Sequence, residues 1–107
     1  MTGNFMANEV LPILANMTAT GYGNAINIKG LYRSYQGVVT GTGSVSATIV
    51  VEVSNDQTNW LTLGTITLSG TTTATDGFSS AVPWAYTRGH LSALSGTGAT
   101  AKLLAGI

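Results

Sequence analysis

The run from Val45 to Val53 alternates without a break. Val45, Ala47, Ile49, Val51 and Val53 share one face, and Ser46, Thr48, Val50 and Glu52 share the other. A period of two sends successive side chains to opposite sides of a pleated strand, so this run is built to cover a core on one side only. A slip of one residue would turn all of its core-facing side chains to water, which pins the register.

The same period recurs in shorter runs from Ala25 onward. Ile26 and Ile28 alternate with Asn27 and Lys29. Gly41-Thr42-Gly43 precedes the long run, so residues 32–40 and 44–54 are expected to form a hairpin. Ser54-Asn55-Asp56-Gln57-Thr58-Asn59 reads as a second turn, rich in side chains that bond their own backbone. Residues 60–68 follow as a strand whose apolar phase slips near Gly64, predicting a bulge there. Residues 69–73 turn again, and residues 74–79 are expected to pair weakly. Pro83-Trp84 opens a strand through Leu94, and Ser95-Gly96-Thr97-Gly98 turns into a last strand over 99–104. The two Gly-Thr-Gly triplets are the one internal echo, and they read as shared hairpin chemistry rather than a duplication. Short strands with turn signals about every 8–12 residues, and no amphipathic helix, predict an all-β chain. The expected architecture is an antiparallel β-sandwich of jelly-roll type with an N-terminal arm.

That arm is residues 1–24, ahead of a sandwich domain over 25–107. It holds all three Met and lacks alternation, and Pro12 removes a backbone donor that a long helix or a central strand would need. Residues 8–17 fit one short helical turn or an extended run. Chain ends fray by default, but Phe5, Met6, Val10, Leu11, Ile13 and Leu14 are too apolar for a solvated tail. They are candidate contacts to another protein.

Composition narrows the function. Charged residues make up 7% of the chain, against about 25% in ordinary domains. A chain this poor in charge is suited to life packed against other protein, since charge is what usually keeps monomers apart. There is no Cys and one His, so neither a disulfide framework nor a thiolate or His-rich metal site is available, and no cofactor is expected. Lys29, Arg33, Arg88 and Lys102 are scattered, which leaves no basic footprint for nucleic acid. The first 17 residues lack a basic signal-type start, and no apolar run reaches the roughly 18 residues of a membrane helix. Neither nucleic acid nor membrane is expected as a partner, and synthesis is expected in the cytoplasm.

Each catalytic constellation in the sequence has a plainer reading beside it. Asp76, His90 and a Ser supply the residue types of a triad, but no G-x-S-x-G elbow accompanies them, and His90 reads as a surface or interface histidine. Asp56 and Asp76 as a glycosidase pair both sit in turn chemistry instead. The stretch from Ser54 to Trp60 resembles the S-x-D-x-G-x-x-W box of sialidase propellers, with Thr58 in place of Gly and Trp60 one position early. Its plainer reading is a capped hairpin loop with Trp60 over the core. Trp84, Tyr86, Arg88 and His90 fall on one face of the strand after Pro83. Trp84, Tyr86 and Arg88 fit a core edge, a protein interface or a sugar platform. No enzyme is expected.

Several of these pieces occur together elsewhere. Val51-Glu52-Val53-Ser54-Asn55-Asp56, Asn59-Trp60, Leu63-Gly64, Thr75-Asp76-Gly77-Phe78, Pro83-Trp84, Tyr86, Arg88 and Ser95-Gly96-Thr97-Gly98-Ala99 resemble small β-rich virion proteins of tailed bacteriophages, described as decoration (cement) or minor structural proteins. The resemblance spans roughly residues 44–105. Gln57 stands where such proteins often carry Gly, and Gly89-His90 is atypical for the strand. The resemblance implies a bacteriophage capsid decoration protein located in the virion, bridging capsomers, with the major capsid protein and further copies of itself (a homo-oligomer) as partners. A tail or baseplate component is the alternative within that setting. Similar hairpins in discoidin-like domains keep a carbohydrate-binding β-sandwich module open as well.

Overall fold

The computed structural model describes residues 10–27, 33–81 and 83–107. It is all-β and antiparallel, with no helix among the described residues. Six strands form one sheet: β1 (Val10–Met17), β2 (Gly21–Tyr22), β3 (Ile26–Asn27), β4 (Arg33–Ser54), β5 (Leu61–Ser80) and β6 (Tyr86–Gly106). Along the sheet the order is β1-β6-β4-β5, with β2 and β3 also pairing with β6.

The length of β4 governs the shape. Twenty-two residues of straight strand would span about 70 Å, yet the longest dimension of the chain is 41 Å and the shortest 18 Å. The three long strands are therefore bent at a common level. There β4 steps from Thr40↔Thr73 to Ser44↔Thr71 against β5, and from Thr40↔Thr100 through Thr42↔Thr97 to Ser46↔Ser95 against β6. Each strand turns its corner on positive φ: Gly43 at 74° in β4, Thr72 at 64° in β5, Gly96 at 127° and Gly98 at 63° in β6. Glycine takes these angles without penalty, whereas a β-branched residue such as Thr72 does not.

The bend doubles the sheet on itself. A Cβ placed on Gly37 would lie 3.0 Å from Ile49 Cδ1, and one on Gly89 would lie 2.7 Å from Leu14 Cγ. The two halves thus press together where side chains are smallest, which accounts for the atypical Gly89. One half holds β1, residues 97–106 of β6, residues 33–40 of β4 and residues 73–80 of β5. The other holds β2 and β3, residues 86–95 of β6, residues 44–54 of β4 and residues 61–71 of β5. Tyr35, Val39, Val45, Ala47, Ile49, Val51, Ile66, Leu68, Leu91 and Leu103 fill the space between them. Tyr35 spans the gap, its hydroxyl donating to Thr87 Oγ1 at 3.3 Å.

Several expectations change against this frame. Residues 32–40 and 44–54 do not fold back as a hairpin; from Arg33 on they are the two halves of one bent strand. The turns expected at 69–73 and 95–98 are the matching corners of β5 and β6. Residues 74–79 pair along their whole length with β4. The bulge near Gly64 is present, where the register passes from Val51↔Gly64 to Glu52↔Thr62.

The arm expectation needs correction at its centre. Phe5 and Met6 lie outside the described residues. Residues 10–17 are not a free arm but β1, an edge strand on β6 with Pro12 opposite Leu104. Its register shifts between Pro12 and Leu14 and again before Met17, so neighbouring Ile13 and Leu14 both turn inward, at 3% and 1% exposure. Those shifts erase the alternation that marks the other strands.

Candidate interaction surface

On the half built from residues 86–95 of β6, Thr87, Gly89 and Leu91 face inward, while Arg88 and His90 face outward and are half-buried. Glu52 is the ladder partner of Arg88, and the pleat brings both side chains to the same side. Arg88 Nε donates to Glu52 Oε1 at 2.7 Å. The guanidinium is also flanked by two rings. Its Cζ lies 4.6 Å from the centre of Tyr22 and 4.2 Å from that of Trp60. Tyr22, opposite His90 in the β2–β6 ladder, stacks on that imidazole with centres 4.0 Å apart and planes 6° from parallel. The result is a chain of contacts from Trp60 through Arg88 and Tyr22 to His90, drawn from two strands and one loop.

The loop before β5 fixes Trp60. Ser54 Oγ donates to Asp56 Oδ1 at 2.9 Å. The same carboxylate accepts the backbone N–H groups of Thr58 and Asn59 and the Asn59 side-chain amide. These donors, the Asn59 backbone first, hold the Asp56 carboxyl well below the usual carboxylate range. Gln57 takes a positive φ of 60°, and its carbonyl accepts the indole N–H of Trp60 at 3.2 Å. Asn55 Oδ1 accepts Ala85 N–H at 3.0 Å and ties the loop to the β5–β6 connection. The capping expected of Asp56 is present. Trp60, however, does not cover the core; it lies beneath Arg88 on the outer face.

Of the remaining candidate residues, Ile13 and Leu14 belong to the chain's own core and offer a partner nothing. Leu11 is packed against that core, and Val10 is 63% exposed. Trp84 and Tyr86 are half-buried at the start of β6; the Trp84 carbonyl accepts Arg33 Nη1 at 2.8 Å. The sequence grouped Arg88 with Trp84, Tyr86 and His90 on one strand face, whereas its contacts are with Tyr22, Glu52 and Trp60. Glu52 was recoverable, since the register of β4 and β6 sets it opposite Arg88. Tyr22 was not, because a two-residue strand leaves no periodic trace.

Glu52 is held by Arg88, and Asp56 is held by its loop. Asp76 accepts Gly77 N–H within the edge strand β5, in the half of the sheet opposite to that of His90. Among the described residues no group of three His, Asp or Glu is placed to hold a metal ion. The Arg88 guanidinium lies over one face of Tyr22 and one of Trp60, and Tyr22 stays 57% exposed.

No family model matches the chain, and no curated protein matches it by sequence. Among solved structures, the SPBc2 prophage-derived protein YomS is similar, with a TM-score of 0.61 and 12% identity over 94% of each chain. The likeness is one of fold, from end to end.

Proposed function

We propose that this chain is a non-enzymatic structural protein of a tailed-phage particle, a decoration (cement) protein seated on the capsid. The observation that carries this reading is the shared fold with a prophage-derived protein across 94% of both chains, joined to a composition with 7% charged residues. With β2 and β3 taken together as one interrupted segment, the doubled sheet has four segments over four, an arrangement that supports a jelly-roll reading. That architecture is found in viral capsid proteins, and equally in lectins and cupins, so the fold supports the setting without deciding the task.

The mechanism is mechanical. Copies bridge neighbouring capsomers, and buried apolar area at roughly 25 cal/mol per Å² opposes their separation. Few charges need desolvation when such a contact forms, which favours it. The rim of exposed Tyr22 with half-buried Trp60 and Arg88 has the composition of an interface anchor, and the major capsid protein is its partner. Neither nucleic acid nor membrane has a role in this reading. A tail or baseplate site is the second reading within the virion, supported by the same fold and composition. A sugar-binding module is the reading from another class; Trp84 and Tyr86, its candidate platform, are half-buried.

A cryo-EM map of the intact particle tests the proposal. Density for this chain across capsomer boundaries is expected; density confined to the tail would move the role there, and absence from the particle would end it. Attachment is expected to survive a rise from about 0.05 M to about 1 M salt, because there is little charge to screen.

A further inference from the structure

The two edges of the sheet differ. The β1 edge is eight residues long, contains Pro12 and slips register twice. Such features blunt an edge against further pairing. β5 has 20 residues, contains no Pro, Lys or Arg, and pairs on one side with β4. Among the described residues nothing pairs with its other side. Its first charged residue is Asp76, so residues 61–75 present an uncharged row of backbone donors and acceptors. Proteins rarely leave such an edge open unless a strand is added to it.

The sequence of that edge identifies the strand. Between the bulge at Leu63 and the corner at Gly70, residues 64–70 read Gly-Thr-Ile-Thr-Leu-Ser-Gly. About Thr67 the pattern is the same in both directions: hydroxyl residues Thr65, Thr67 and Ser69 outward, apolar Ile66 and Leu68 inward, and Gly at each end. Thr65, Thr67 and Ser69 are exposed, whereas Ile66 and Leu68 are buried at 3% and 2% exposure. An isologous two-fold contact needs this self-complementarity. We propose that two copies of this chain pair edge to edge through residues 64–70 of β5, antiparallel, with Thr67 opposite its own equivalent. Thr65 then meets Ser69 of the second copy, a favourable hydroxyl pair, and Ile66 meets Leu68, continuing the apolar face across the axis. No like charges approach. The pairing does not depend on any role in a particle.

The test uses the full chain and its lack of Cys. Sedimentation at tens of micromolar is expected to give twice the single-chain mass. Thr67→Cys is expected to oxidise to a covalent dimer at least tenfold faster than Val10→Cys, which sits on the opposite edge. Thr67→Lys and Thr67→Glu, each checked by melting for an intact fold, are expected to be monomeric alone and to dimerise when mixed, since like charges directly opposed repel and unlike ones attract. A wild-type monomer, equal cross-linking at both positions, or a dimer unaffected by Thr67→Lys would overturn the proposal. So would a wild-type monomer whose particle binding is lost on Thr67→Lys, because the edge would then take a strand from another protein.

Discussion

Thr42 of β4 and Thr97 of β6 lie opposite one another in the ladder, each at the centre of a Gly-Thr-Gly triplet. The repeated triplet is therefore not two hairpins but one crease, crossed twice. β5 crosses the same crease as Gly70-Thr71-Thr72, with Thr where the triplet would carry its second glycine.

Thr72 holds a φ of 64°, a conformation costing a side chain about 1–2 kcal/mol, partly offset in any glycine replacement by extra unfolded-chain entropy. Thr72→Gly is expected to raise stability by about 0.5 kcal/mol. Gly43→Ala is expected to lower it by about 1 kcal/mol, with the cost arising in the backbone alone, because no atom lies within 4 Å of the added Cβ. Urea midpoints at unchanged slope measure both.

Leu14 and Val10 separate core from surface within β1. Leu14→Ala is expected to cost about 2–5 kcal/mol, and Val10→Ala less than about 0.5 kcal/mol. Similar small losses at both positions would mean that β1 is only loosely attached.

The loop carboxylate gives a pH signature. With its folded pKa depressed, Asp56 contributes stability above its unfolded value of about 4; that contribution is lost as pH falls from there toward the folded pKa. Wild-type melting temperature is expected to drop below about pH 4 more steeply than that of Asp56→Asn. Parallel curves would show that the loop is held by other contacts.

Arg88 and Glu52 form a charge-assisted pair at partial exposure. A double-mutant cycle with Arg88→Met and Glu52→Gln is expected to give about 0.5–1 kcal/mol of coupling. Arg88→Met is expected to lose a further 0.5 kcal/mol or about that from the two ring contacts. Zero coupling would mean that the pair is set by the rings alone.

Much of this fold was legible because alternation is a local signal. The core face of β4, the bulge near Gly64 and the Asp56 loop could all be read from neighbouring residues. The corners could not. Glycine with a hydroxyl residue serves a hairpin and a strand bend equally well, and only the pairing of Thr40 with both Thr73 and Thr100 separates them. β1 was obscured by its own register shifts. At the surface, Arg88 was visible from its strand, but the ring partners come from a short strand and a loop far off in sequence.

The position of β6 sets an order in time. Among the described residues it is the last strand, yet β1, the first, pairs with nothing else. The β4–β5 hairpin closes through a short loop and is expected to form first, together with its Asp56 contacts. β6 must then find β4 across both halves of the crease before β1 has a surface to join. Topologies dominated by such distant pairings fold in milliseconds to seconds. β1 is expected to dock last and open first, and its amides to exchange with solvent well ahead of those of β4.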